Sequence, residues 1–318
     1  MGSLSFLIIA AILKMSATEA AAEDRCASCG IAGGDNIKLK NCTACKLVKY
    51  CGVDCQRNHR SQHKRACKKR AAELKDELLF KQPENTHLGD CPICSLPIPL
   101  ATSQDTIRHF VYPCCSKVVC DGCVYANAIR EREQKLTPTC PFCRCQTPDT
   151  TAEGCQLEKK RLKSNDPLAL NNEGMNSYDS GDYAAAIEYW EKAAGLGWVE
   201  SHYNLSSVYK GGQGVEKDIK KYIHHMKQAA IGGHPVARLN LGVWEQNNGN
   251  IDRAVKHFII AANLGYDGAI EALKKYYARG VVSKEDFTAG LRAYQAAVDA
   301  TKSPQRDAAE AFYKQAMG

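Results

Sequence analysis

Cysteine is missing from the second half of the chain, because all seventeen cysteines of the 318 residues lie before Gln156. This absence separates a cysteine-rich front from an ordinary globular back. The sequence also has no glycine-rich loop that would cradle a phosphate, no nucleophile elbow and no clustered pair of carboxylates. We therefore predict neither catalytic residues nor an organic cofactor site.

Long apolar runs are scarce too. Residues 3–13 are apolar but too short to span a bilayer, which takes about 20 residues. They could form the apolar part of a secretory signal, although no basic residue precedes them and Lys14 follows. Alternatively, residues 1–14 precede a true start at Met15. Because export would expose metal-binding thiols to oxidising conditions, we expect a cytoplasmic or nuclear protein, with the signal as the alternative.

Positive charge is concentrated in the front. Residues 25–81 carry fourteen Lys and Arg against five Asp and Glu, whereas residues 166–318 carry seventeen against eighteen. Such a patch could meet nucleic acid or an acidic protein surface. Many of these cations lie beside cysteines, so we interpret them as offsetting thiolate charge. We do not expect nucleic-acid binding, because exposed aromatics do not alternate with the cations.

Eight soft ligands are arranged in pairs in the first cysteine cluster: Cys26, Cys29, Cys42, Cys45, Cys51, Cys55, His63 and Cys67. Zn²⁺ prefers four thiolate or imidazole ligands in a tetrahedron, and a Cys-x2-Cys turn supplies two of them without strain. A segment this short and this poor in large apolar residues cannot bury a sufficient core. A structural zinc contributes on the order of 10–16 kcal/mol to such domains. We therefore expect metal to stabilise this segment.

These pairs, together with the Lys46–Tyr50 stretch before Cys51, resemble a MYND zinc finger over about forty residues. The resemblance implies interleaved sites, with Cys26, Cys29, Cys51 and Cys55 on one zinc and Cys42, Cys45, His63 and Cys67 on the other. Spacing alone would also permit sequential pairing, and His59 is a rival to His63. MYND fingers bind proline-containing peptides, which implies interaction rather than catalysis. Many of them carry tryptophan where this chain has Arg60.

The second cluster consists of eight cysteines: Cys91, Cys94, Cys114, Cys115, Cys120, Cys123, Cys140 and Cys143. With Cys-Pro-Ile-Cys at one end and Cys-Pro-Phe-Cys at the other, it resembles a RING finger over residues 90–148. The resemblance implies one zinc on Cys91, Cys94, Cys120 and Cys123 and one on Cys114, Cys115, Cys140 and Cys143. Adjacent Cys114 and Cys115 are irregular, because neighbouring residues of an extended chain point to opposite sides. His109 or Cys145 could replace one of them.

RING fingers recruit a ubiquitin-conjugating enzyme without using a catalytic nucleophile. On this resemblance, Ile93 and Pro141 would form the apolar docking patch, and Arg144 would be the cation that contacts both ubiquitin and the conjugating enzyme. The aromatic residue that often completes the patch is Asn127 here. Two hypotheses follow: a RING-type ubiquitin-protein ligase, or a scaffold whose zinc sites are purely structural.

The cysteine-free part is repetitive. An Ala-Ala-x-x-Gly motif closes three units at Gly197, Gly233 and Gly265, and a looser version ends at Ala300. Each unit reads as a helix-turn-helix whose paired alanines allow close helix packing and whose glycine ends a helix in the left-handed conformation. The pattern resembles SEL-one-like repeats, relatives of the tetratricopeptide class. Trp190 aligns with Met226 and Phe258, so we predict that it packs in the core.

The sequence thus predicts small zinc-stabilised domains of cross-brace type followed by an all-α helical-repeat solenoid. The predicted segments are an N-terminal segment (1–24), a MYND-like finger (25–68), a helical linker (69–89), a RING-like finger (90–148), a linker (149–165) and repeats (166–318). We expect four Zn²⁺, two per zinc module. The expected partners are proteins, including peptide segments and a ubiquitin-conjugating enzyme, and no membrane span is expected.

Overall fold

The computed structural model describes residues 24–100 and 109–317, and these form two compact units, residues 24–79 and 80–317. The sequence prediction for residues 1–23 lies outside the described residues. In the first unit, strands β1 (Lys40–Asn41) and β2 (Lys49–Tyr50) pair antiparallel, and helix α1 spans Val53–Leu79. The core of this unit is small: Tyr50 is buried against the cysteine side chains, with Leu39 and Val48 packed around them.

Helix α1 is a single helix of 27 residues. The sequence predicted a boundary here between the finger (25–68) and a helical linker (69–89), but the helix runs through that boundary. No glycine or proline lies between Val53 and Leu79, so nothing breaks the helix where the finger was expected to end. Arg70 bridges to Glu77 at 2.6 Å and to Glu73 at 3.2 Å on its exposed surface.

The second unit begins with the linker segment, residues 80–89, and continues into a second cysteine-rich module. Strands β3 (His109–Tyr112) and β4 (Lys117–Cys120) form an antiparallel hairpin in which Phe110 pairs with Val119. Helix α2 (Asp121–Glu133) follows directly from β4. Ile98 and Val119 are buried beside Cys91 and Cys120, so apolar burial here is again built around cysteines.

Nine helices lie in residues 149–303 of the described chain. They are α3 (Thr151–Lys163), α4 (Pro167–Asp179), α5 (Tyr183–Gly195), α6 (Val199–Gly211), α7 (Ile219–Ile231), α8 (Pro235–Asn247), α9 (Ile251–Asn263), α10 (Asp267–Ala278) and α11 (Lys284–Ala300). The predicted linker 149–165 therefore contains a helix, which begins where the Thr150 side chain accepts the Glu153 N–H. Successive helices from α4 to α10 pack on one another, as the repeat pattern predicts.

The repeat core matches the sequence alignment of the units. Trp190 is 2% exposed, Met226 2% and Phe258 1%, so the predicted core position is confirmed in all three units. Gly197, Gly233 and Gly265 have φ of +88°, +85° and +81°, the left-handed conformation expected of residues that end helices. Among the described residues, no helix is long and apolar enough to cross a membrane.

The last helix returns to the cysteine-rich module. Helix α12 (Pro304–Met317) packs against α2 rather than extending the repeat stack. The approach is close at Gly122, where an added Cβ would lie 2.8 Å from the backbone nitrogen of Arg306. Tyr125 contacts Phe312 with ring centroids 5.3 Å apart, and Phe110 contacts Tyr313 at 6.1 Å. Residues assigned to the repeats by sequence thus complete the second cysteine module.

Candidate metal centres and interaction surfaces

Of the five Cys-x2-Cys pairs in the two modules, Cys120 and Cys123 lie at the start of helix α2, and the other four pairs share one backbone geometry. The residue after the second cysteine has a positive φ, and its N–H donates to the carbonyl of the first cysteine at 2.8–2.9 Å. The residues concerned are Gly30, Lys46, Ser95 and Arg144. Because each tight turn directs two sulfurs to one side, the sequence spacing already fixes half of every cluster.

In the first unit the ligand atoms form two groups, each within 4.8 Å: Cys26, Cys29, Cys51 and Cys55, and Cys42, Cys45, His63 and Cys67. The Cys29 and Cys51 sulfurs are 3.6 Å apart, and the Cys45 sulfur lies 3.2 Å from His63 Nε2. Cys51 and Cys55 flank the start of α1, while His63 and Cys67 are one turn apart within it. The grouping is interleaved, so the sequential pairing that spacing left open is not the observed one.

The second module repeats this interleaving. Cys91, Cys94, Cys120 and Cys123 form one group, and Cys114, Cys115, Cys140 and Cys143 form the other. Cys114 lies 3.3 Å from Cys143, and Cys115 lies 3.8 Å from Cys140. Both adjacent cysteines reach the same group because the turn between β3 and β4 bends there, with Ser116 at φ +53°. The argument from an extended chain therefore does not apply at this position.

The donor sets fit zinc. A tetrahedron with Zn–S bonds of about 2.3 Å has sulfur–sulfur edges of about 3.8 Å. Six sulfur pairs within these clusters are 3.3–3.8 Å apart, and all ligand atoms of a cluster lie within 4.8 Å of one another. A disulfide would require about 2.05 Å, and every cysteine is a free thiol.

Each cluster contains one thiol that ionises readily. For Cys26, burial raises the pKa, but backbone N–H groups of Cys29, Cys51 and Ser28 outweigh it and lower the pKa to about 6. The pKa of Cys91 falls to about 4, mainly through the hydrogen bond from the Cys120 thiol. The corresponding thiols of the other two clusters are Cys42, with a pKa of about 6, and Cys143, with a pKa of about 7. Metals bind thiolates, so the backbone and thiol hydrogen bonds to these four cysteines favour the metal-binding form.

The three alternative ligands considered from the sequence, His59, Cys145 and His109, do not belong to any of the four cysteine clusters. His59 Nδ1 lies 3.1 Å from the Tyr50 hydroxyl, and its ring stacks on His63. Cys145 is exposed. His109 lies in β3 and is not a member of any of the four clusters.

The three residues assigned to conjugating-enzyme contact line one depression of about 350 Å³. Ile93 is 42% exposed, whereas Pro141 is buried. Arg144 is exposed and donates to Asn127 Oδ1 at 2.7 Å. Ser303 and Gln305, at the start of α12, line the same depression. The surface expected to dock an enzyme is thus partly built from the C-terminal helix region.

Sequence reasoning missed Arg306. Its side chain is 3% exposed, and its guanidinium donates to the carbonyls of Pro97 at 2.7 Å, Thr301 at 2.6 Å and Leu96 at 3.3 Å. It also lies 3.4 Å from the Cys94 sulfur. An arginine in an amphipathic helix gives no signal of burial, and its contacts with Pro97, Leu96 and Cys94 join residues more than two hundred positions apart in sequence.

A second missed cluster fixes the linker segment to the repeats. His87 Nε2 lies 3.0 Å and His234 Nε2 3.2 Å from the same Glu200 oxygen, Oε2. His234 Nδ1 accepts the Ala237 N–H, so its proton is on Nε2 and faces the carboxylate. The two imidazoles are stacked, with ring centroids 4.3 Å apart and an interplanar angle of 15°. Burial raises the pKa of Glu200, but the imidazole hydrogen bonds outweigh it and lower the pKa well below its usual value.

Comparison with known families finds matches in two parts of the chain. The family model described as MYND finger matches residues 26–67. Residues 26–67 form a MYND finger. A second model, the Sel1 repeat, matches residues 175–198, 199–234 and 235–266. A MYND finger binds zinc, and both modules are protein-interaction modules.

Proteins similar to this chain include two curated relatives and one solved structure. DAP3-binding cell death enhancer 1 of mouse (Mus musculus) is 24% identical over 180 residues, which cover 44% of this chain and 35% of the mouse protein. The rat (Rattus norvegicus) protein of the same name is 34% identical, with the same coverage. The chain thus spans about a third of the length of these relatives. A Sel1 repeat protein from Oxalobacter formigenes has 22% identity and a TM-score of 0.41, with 55% of this chain and 71% of that chain covered.

The MYND finger carries a groove of about 440 Å³. One wall is the turn at residues 42–44, and the other is the amino-terminal half of α1. Tyr50 and His63 lie at its base and are 3% and 9% exposed. The groove is therefore backed by the zinc ligands, and its open side is formed by the exposed face of one helix.

Proposed function

We propose that this chain is an adaptor in which four structural zinc ions hold two interaction modules, while the Sel1 repeats present a third binding surface. One observation carries the proposal: each of the four cysteine clusters supplies four ligands. Structural zinc sites are closed in this way, whereas catalytic zinc keeps an open position for water or substrate. The mouse and rat relatives are named for binding DAP3. We infer that this chain binds a protein partner too, and that its repeats supply the binding surface.

Metal analysis of the intact chain tests this proposal. We expect four zinc atoms per chain. Replacing Cys45 by serine should lower the count to three, and replacing Cys140 should also lower it to three. Cys155→Ser is the matched control, because Cys155 is exposed and lies in none of the four clusters. A count of two or fewer in the parent chain would remove at least one module from the proposal.

A second candidate function is ubiquitin transfer assisted by the RING-like module. It is favoured by the shared depression that contains Ile93, Pro141 and Arg144. It is opposed by the burial of Pro141 and by the hydrogen bond that ties Arg144 to Asn127. We therefore rank the non-enzymatic scaffold first.

A transfer assay separates the two candidates. The full-length chain is incubated with activating enzyme, ubiquitin and a broad panel of conjugating enzymes. A ligase should build chains, and Arg144→Ala or Ile93→Ala should slow them while Lys159→Ala, on an exposed face of α3, should not. If no conjugating enzyme of the panel supports ubiquitin transfer while the chain still retains partners in a pull-down, the non-enzymatic scaffold is the remaining candidate.

A further inference from the structure

The open wall of the MYND groove is a row of cations. Four basic residues of α1 line it, spaced three, four and four residues apart: Arg57, Arg60, Lys64 and Lys68. This spacing places them on one face of the helix. All four side chains are exposed. The groove therefore presents fixed positive charge along about three turns of helix.

These cations are largely unneutralised by the finger itself. Arg57 contacts Asp54 at 3.3 Å, but both side chains are highly exposed, at 75% and 90%, so the pair is weak. Arg60, Lys64 and Lys68 make no ion pair with any carboxylate in residues 24–100 and 109–317. A partner that supplies carboxylates would not have to displace a strong internal pair.

The negative charge of the zinc-bound thiolates is too small to neutralise this row of basic residues on α1. A zinc ion bound by Cys42, Cys45, Cys67 and neutral His63 carries a net charge of minus one, which a single cation offsets. Residues 24–79 contain thirteen Lys and Arg and six Asp and Glu. Seven zinc-bound thiolates and two zinc ions together subtract three charges, so a surplus of about four positive charges remains on the finger. Offsetting the clusters, as the sequence suggested, uses less than half of the excess.

The shape and composition of the groove favour a peptide over nucleic acid. Its volume of about 440 Å³ accommodates a few residues of an extended segment, and its base includes Ala44 and the buried ring of Tyr50. Tyr50 is the only Phe, Tyr or Trp in residues 24–79. Single-stranded nucleic acids usually need exposed aromatics on which bases can stack. The finger has none to offer.

We propose that this groove binds an extended acidic peptide segment of a partner protein, with Arg60 and Lys64 contacting its carboxylates. The proposal rests on the adaptor function and specifies the partner of its first module. Proline residues within such a peptide segment would keep it extended and lower the entropy that it loses on binding.

Fluorescence anisotropy on the full-length, zinc-loaded chain tests the proposal. The probes are a labelled glutamate–proline repeat peptide, a glutamine–proline repeat peptide of equal length, and a single-stranded oligothymidylate. We expect the glutamate peptide to bind at least about tenfold more tightly than the glutamine peptide, and its affinity to fall as salt rises. Equal affinity for the two peptides, or tighter binding of the oligothymidylate, would overturn the proposal.

Charge-reversal variants locate the site. Arg60→Glu and Lys64→Glu should each weaken binding of the glutamate peptide at least about tenfold. Lys69→Glu makes the same charge change on the far side of α1 from Arg60, outside the groove lining, and should change affinity less than about twofold. An equal loss in Lys69→Glu would contradict a defined groove.

Zinc content, measured for every variant, keeps the two proposals separate. A parent chain with fewer zinc atoms than expected counts against the adaptor proposal. Full zinc content without peptide discrimination counts against the acidic groove alone. If one of the variants Arg60→Glu and Lys64→Glu lost zinc because its substitution lies near a ligand, the peptide affinity of the other variant would test the groove.

Discussion

Replacing Arg306 by alanine should loosen one zinc cluster and leave the other three intact. The guanidinium is nearly inaccessible and is the donor to the Pro97, Leu96 and Thr301 carbonyls. It also contacts the Cys94 sulfur, a member of the Cys91, Cys94, Cys120 and Cys123 cluster. Among the described residues it touches no sulfur of the other three clusters. The perturbation is therefore local.

The magnitude follows from what the substitution leaves behind. Each buried carbonyl that loses its hydrogen-bond donor costs about 1–3 kcal/mol of stability. Water that enters the vacated space can donate to these carbonyls and recover part of this cost. Removing one side of a buried charged contact costs about 3–5 kcal/mol. We take about 3 kcal/mol, which corresponds to roughly a hundredfold change in the opening equilibrium of this cluster. Arg306→Lys keeps the charge but loses the planar fork, so it should fall between alanine and the parent chain.

Zinc release to a chromogenic chelator measures the effect directly. We expect one zinc per chain to leave Arg306→Ala at least about tenfold faster, with the remaining three unchanged. Arg292→Ala is the control, because Arg292 is exposed on the neighbouring helix α11 and exposed substitutions change stability by about 0.5 kcal/mol or less. Parent-like release of all zinc from Arg306→Ala would refute the view that the C-terminal helix supports this cluster.

Three further predictions concern the rest of the chain. Exhaustive chelation should unfold the two cysteine-rich modules while helical circular dichroism of the repeats persists; full retention of near-ultraviolet signals from the modules would contradict metal-based stability. Gly233→Ala should destabilise the repeats more than Gly249→Ala in urea unfolding. Both glycines have positive φ, but only at 233 would a Cβ meet the Asn85 carbonyl, at 2.5 Å. Glu200→Gln should be less stable than the parent at neutral pH. Because the folded pKa of Glu200 lies below its usual 4.5, this difference should be full above pH 4.5 and shrink as pH falls further. A difference independent of pH would argue against the imidazole–carboxylate contacts.

Much of the metal-binding architecture was accessible from sequence because it depends on local spacing. A Cys-x2-Cys turn is a four-residue device, and Gly30, Lys46 and Ser95 follow three such turns in the same left-handed conformation. The choice between interleaved and sequential pairing needed more than spacing, and there a family resemblance supplied the expectation. Whether adjacent Cys114 and Cys115 reach one cluster depended on the turn between β3 and β4.

The candidate docking surface was less accessible. Ile93 and Arg144 could be named from their distance to ligands, but the burial of Pro141 depends on packing within the module. The contributions of Ser303 and Gln305 depend on where the last helix docks. No local pattern reports either fact.

The sequence by itself determined the ligand pairs, the repeat period and the division into a basic cysteine-rich front and a neutral helical back. These are short-range properties, fixed by coordination geometry and helical periodicity. Tertiary structure alone decided that Arg306 supports a distant cysteine cluster, that His87 meets Glu200 and His234, and that the basic face of α1 lines a groove. Such contacts join residues whose separation in the chain carries no period, so only the packed fold brings them together.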